Sequence, residues 1–224
     1  MSDVLERSIT ARPVELRAAP EGESGPGVLT GYAAVWDSES RDLGGFVEVI
    51  ARGAFGEPID DTGALNLETH VRVIGRTNHD SNLLLGTTDA GTLRLFLDDV
   101  GLRYEVDLPD TSYGRDLAVL ARRGDIRFSS FAFRILPGGA EWSYGADDRP
   151  IRTVTAAALS DVAPVADPAY WGSSSEMRKH VDLDAVRASL APDLIDAESA
   201  RSRVAIQARA RHLSILTETK EYHA

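Results

Sequence analysis

No cysteine occurs in the 224 residues, and that absence excludes disulfides, thiolate-bound zinc and a cysteine nucleophile together. Lysine is almost missing too, with only Lys179 and Lys220 present. The basic charge is therefore carried by arginine, a bias that follows GC-rich codon usage and singles out no phosphate ligand. Twenty-four basic residues face 35 acidic ones, for a formal net charge of −11. No local basic patch offsets it, so nucleic acid and anionic lipid are repelled. Nowhere do about 18 apolar residues run together, and Met1–Arg12 is polar and charged, unlike a signal peptide. The expectation is a soluble protein made in the cytoplasm, with no nucleic-acid or membrane partner.

What the chain does contain is a succession of short alternating runs. A hydrophobic fraction of 43% supports one sizeable core, and the length leaves little room for two large domains. Runs of β type occur at Val14–Ala18, Val28–Trp36, Phe46–Ile50, Val71–Arg76, Leu83–Thr87, Thr92–Leu97 and Leu102–Leu108. The Gly/Pro/Glu/Ser cluster Glu21–Gly27 reads as the loop between the first two, and Asp98–Gly101 as a hairpin turn. The period then changes. Apolar residues recur at Leu117, Leu120 and Ala121 behind a cap at Thr111 or Ser112, and Arg122-Arg123-Gly124 marks a helix stop. Ile126–Ile135, a short strand near Glu141–Tyr144 and a long run Ile151–Val165 follow. At least eight strands around one helix predict a mostly β, α+β fold: a barrel or folded sheet with helices outside. Beyond Gly172–Ser175 the spacing becomes helical over Val181–Leu190 and again over Ile195–Leu216, broken at Pro192.

Chemistry is concentrated at two places. Asn78-His79-Asp80 lies between two strand-like runs, and the Arg127–Phe133 run carries Ser129 and Ser130 among bulky apolar residues. A hydroxyl is a poor nucleophile at neutral pH unless an imidazole takes its proton, so the pair suggests a serine protease if the fold brings them together. Adjacent strand residues face opposite sides, so only one of the two serines can meet the histidine. Consecutive side chains also diverge, which argues against Asp80 as the partner of His79. His70, His79 and Asp80 have no metal-ligand spacing, and Gly44-Gly45 and Gly53–Phe55 have no phosphate-loop spacing. No metal and no cofactor is expected.

Seven stretches occur in a familiar order: GYAAVW at Gly31–Trp36, DLGGFVEVIARGAF at Asp42–Phe55, NHD at Asn78–Asp80, LLGTTDAGTLRL at Leu84–Leu95, GLRYEVDLPDT at Gly101–Thr111, RRGDIRFSSFAF at Arg122–Phe133 and SDVAPVADPAY at Ser160–Tyr170. Over roughly residues 12 to 175 the chain resembles the prohead (capsid-maturation) serine proteases of tailed phages of the HK97 type. The resemblance implies a fold like herpesvirus assemblin, a closed or folded β-barrel with surrounding helices. It places a protease domain over residues 1–173 and a C-terminal helical segment over 174–224, mobile or removed by self-cleavage.

The implied activity is a serine endopeptidase in the host cytoplasm, enclosed in the procapsid, that cuts the scaffolding segment of the major capsid protein and then itself. A homo-oligomer is expected because the fold's viral relatives commonly dimerise. The family's serine, usually in the form SFGF, falls on Ser130, with Ala132 in place of glycine and Phe128-Ser129 where relatives carry a glycine-methionine pair. Its histidine falls on His79. Counting back from Pro168-Ala169-Tyr170 sets Asp161 on a Glu-Val-Ser tract, as the carboxylate that orients the imidazole, one methylene shorter than glutamate. The alternative is a non-catalytic internal scaffold or capsid-assembly protein using the same β domain.

Overall fold

The computed structural model describes residues 6–10, 12–19, 25–67, 72–166 and 181–190. The chain divides into two units between Val181 and Asp182. In the first, the strands are β1 (Glu6–Thr10), β2 (Glu15–Arg17), β3 (Val28–Val35), β4 (Val47–Ile50), β5 (Ile74–Arg76), β6 (Leu84–Thr87), β7 (Leu93–Leu97) and β8 (Gly101–Asp107). Helix α1 (Ser112–Arg123) follows, then β9 (Phe128–Ile135), β10 (Ala140–Tyr144), β11 (Pro150–Val154) and β12 (Ala157–Val165). In the second unit the described residues form a helix over 183–190, whose first turn is capped by Asp182 Oδ1 accepting from the Ala185 amide at 3.0 Å. The rest of the expected C-terminal helical stretch lies outside the described residues.

Three sheets carry the first unit, in the orders β1-β9-β12-β5-β6, β10-β11-β4 and β2-β3-β8-β7. The mostly β expectation holds, but among the described residues no closed barrel forms: each sheet keeps two edges. The β3 sheet packs against the β9 sheet through side chains, with no strand ladder between the two among the described residues. At the contact, a Cβ added to Gly31 would lie 2.5 Å from Ser129 Oγ and 2.7 Å from Tyr104 Oη, so only glycine permits the approach. Leu29, Phe55, Tyr104, Phe131, Phe133 and Leu159 fill the space between, all 1% exposed or less.

Local chemistry explains most boundaries. Thr111 caps α1 by accepting from the Gly114 amide, and Gly124 ends it in the left-handed region at φ 80°. Asp98 Oδ1 accepts from the amides of Val100 and Gly101 and closes the β7–β8 turn. The stretch Ile151–Val165, a single run by its pattern, is two strands. The chain leaves β11, which pairs with β4, and enters β12, which pairs with β9 and β5. An apolar run shows no break where both halves are buried.

Candidate active site

β9 presents two buried faces of different character. Ser129, Phe131 and Phe133 point into the core between the sheets, while Ser130 and Ala132 point the other way. Ser129 Oγ lies 3.0 Å from Tyr104 Oη, a buried phenol whose proton is held well above its ordinary pKa by burial. Ser130 Oγ lies 2.7 Å from His79 Nε2.

The carboxylate arrives through a defect in β12. Leu159 pairs with Phe133 and Asp161 with Ala132, leaving Ser160 as an extra residue. Regular alternation would have set Asp161 opposite Phe131 on the apolar face; the bulge carries it to the face of Ser130. There Asp161 Oδ1 is 2.5 Å from His79 Nδ1. Its other oxygen is 3.7 Å from the guanidinium of Arg76. Asp80 takes no part: its Oδ1 accepts from the Asn82 amide at 2.8 Å.

His79 is delivered by a strained turn. The 3-10 turn Thr77–His79 joins β5 to β6, with Asn78 at φ 52° and His79 at φ 57°. Asparagine tolerates the left-handed region; histidine occupies it at a cost of about 1 kcal/mol or more. Surrounding bonds enforce it. The Asp80 amide donates to Thr77 O at 2.9 Å, and Asn78 Oδ1 accepts from the Ala166 amide at 3.2 Å. The three side chains thus come from β9, β12 and the end of β5, adjacent strands of one sheet.

All three are buried: Ser130 is 0% exposed, Asp161 3% and His79 8%. A neutral imidazole donating from Nδ1 to the carboxylate turns the Nε2 lone pair toward the hydroxyl. Such a chain can draw a proton from Ser130 and hold the resulting charge beside Asp161. Among the described residues no group of three metal-ligating side chains occurs, and no helix is long and apolar enough to cross a membrane.

Several contributors are invisible in the sequence. Arg76 reads only as a strand end, and Ser8 lies in a segment that reads as plain polar N-terminus. Yet Ser8 O, 2.8 Å from Ser130 Oγ, is a second acceptor for the one proton of that hydroxyl. The pairing of Ser129 with Tyr104 has a sequence signal in the alternation of β9, but none that names its partner.

Comparison with known proteins gives three findings. A family described as caudovirus prohead serine protease matches residues 12–186. The solved structure of the bacteriophage T4 capsid assembly protease, gp21, is similar over 72% of this chain and 96% of that one, at 12% identity and a TM-score of 0.41. No curated protein matches the chain.

Proposed function

The chain belongs to the caudovirus prohead serine protease family, and from that premise we propose that it is the endopeptidase of head maturation, with Ser130 as nucleophile, His79 as base and Asp161 as the orienting carboxylate. The reading includes an assemblin-like folded β domain over 1–173 and a helical segment over 174–224 that self-cleavage removes. Its substrates are the scaffolding segment of the major capsid protein and the protease's own chain, cut inside the procapsid.

One observation carries it: the buried hydrogen-bonded line Ser130–His79–Asp161, at 2.7 and 2.5 Å. Ser130 Oγ bonds to the scissile carbonyl carbon as its proton passes to His79 Nε2. The imidazolium then protonates the departing amine, leaving an ester on Ser130. Water, deprotonated by the same imidazole, releases the acid and restores the hydroxyl. Asp161 holds the Nδ1–H and offsets the transient positive charge.

Co-expression with the capsid precursor and mapping of cut sites tests the assignment. Ser130→Ala and His79→Ala should each lower cleavage by about 10⁴-fold or more, and Asp161→Asn by about 10⁴-fold through the wrong tautomer. If wild type and Ser130→Ala both leave themselves and the precursor intact, the internal-scaffold reading replaces this one.

A further inference from the structure

Ser130 is wholly buried, so no polypeptide can reach its hydroxyl until something moves. β1 is the element that meets the hydroxyl from outside the Ser130–His79–Asp161 line. It is a strand of five residues that, among the described residues, lies at the sheet edge and pairs on one side only, with β9. Ile9 is the residue opposite Ser130 in the ladder, and the carbonyl before it, that of Ser8, can accept from Ser130 Oγ. The hydroxyl has a single proton, and a proton donated to Ser8 is not available to His79.

The other end of β1 is held by charge. Glu6 binds Arg152 through both carboxylate oxygens, one of them at 3.2 Å from Nη1. Arg152 also holds Glu48 Oε2, at 3.0 Å from Nε and 2.5 Å from Nη2, and lies over the rings of Phe46 and Trp142. Glu48 Oε1 is buried with no hydrogen-bond partner among the described residues. This is a prepared receptor for a carboxylate: an arginine fixed by aromatic faces and by its bonds to the buried Glu48 side chain, receiving a side chain from a strand at a sheet edge.

We infer that the β9 edge beside Ser130 is the docking edge for a substrate peptide added as an antiparallel strand, that Arg152 with Glu48 selects an acidic side chain on that strand, and that Glu6–Thr10 is the resident occupant that must leave first. The inference rests on Ser130 being the nucleophile. Main-chain pairing along β9 gives affinity without sequence preference, and the Arg152 receptor gives the preference. The recognised carboxylate belongs two residues before the one whose carbonyl faces Ser130, as Glu6 stands to Ser8. Seated, β1 therefore both fills the docking edge and competes for the nucleophile's proton.

A fluorophosphonate probe tests this on the full-length protein, since Ser130 Oγ bonds to phosphorus as fluoride leaves and the proton passes to His79. Glu6→Gln should label at Ser130 at least about tenfold faster than wild type, because a charge-assisted anchor is lost. A peptide copying residues 4–12 should slow labelling of that variant, and the same peptide with glutamine at the Glu6 position should need about tenfold more to do so. Equal labelling rates in wild type and variant, or equal potency of the two peptides, overturn the inference and leave the nucleophile assignment standing. No labelling of Ser130 in either folded protein overturns the assignment itself. Should Glu6→Gln fail to fold, hydrogen exchange on wild type decides: amides of residues 6–10 should exchange faster than those of the β9–β12 ladder, and equal protection overturns the occupant role.

Discussion

The Ser130–His79–Asp161 line and the Arg152–Glu48–Glu6 cluster both withdraw polar side chains from water, but they balance their charges differently. In the first, one carboxylate meets an imidazole that can share its proton, and Arg76 stands near the second oxygen. In the second, two carboxylates share one guanidinium, and Glu48 Oε1 is left without a partner among the described residues. Burial, with Glu6 adding to it and Arg152 opposing, pushes the Glu48 carboxyl up to about 7. The reaction line is thus matched, while the anchor of β1 holds a second carboxyl that one guanidinium does not balance once Glu48 ionises.

Removing the guanidinium is the strongest way to break that comparison. Arg152→Met strands Glu48, whose side chain is 0% exposed, and should cost about 3–5 kcal/mol of stability in a denaturant titration. The double variant Arg152→Met/Glu48→Met removes both buried charges and should recover most of the loss. If the double variant is no better than the single, packing around Phe46 and Trp142, and not stranded charge, is what Arg152 supplies.

A smaller effect follows from Glu48 alone. The folded protein keeps the Glu48 proton up to about pH 7, whereas the unfolded chain releases it near its ordinary value of about 4.3. Between those limits the native state binds the extra proton, so raising pH favours unfolding. Glu48 therefore costs nothing below the unfolded pKa and its full penalty, on the order of 3 kcal/mol, above pH 7. Glu48→Gln removes this slope from the variant, so the stability difference between variant and wild type should change in the variant's favour as pH rises from 4 to 8. A difference flat with pH would mean that Glu48 stays ionised throughout.

Much of the ladder could be read from alternation, as in β8, or from turn residues at strand ends whose chemistry is local. The caps of α1 and the Asp98 turn were legible for the same reason. β1 was not: Glu6–Thr10 is mostly polar, and its place comes from pairing with β9 more than a hundred residues away. Nor could alternation reveal the Ser160 bulge, because an inserted residue leaves the composition of β12 unchanged and alters only which face Asp161 joins. The candidate trio was legible through the family's motif order rather than through spacing, which ties His79 to neither serine. The closed form of the barrel expectation is not met among the described residues, and pattern is silent there, since inward and outward alternation is the same whether sheets close through a strand ladder or pack through side chains.

Ser129 and Ser130 offer the finest form of the comparison, two hydroxyls adjacent on one strand and both 0% exposed. Ser130 faces an imidazole; Ser129 faces the Tyr104 phenol across the contact that Gly31 keeps open. Ser129→Ala leaves the Tyr104 hydroxyl buried without that partner, so stability should fall by about 1–2 kcal/mol. Cleavage of the capsid precursor, normalised to folded protein, should stay within about twofold of wild type, because the lost bond lies on the opposite face of β9 from His79. A Ser129→Ala protein of normal stability but strongly reduced cleavage would reverse the assignment of the two serines, and with it the use made of strand alternation to separate structure from chemistry.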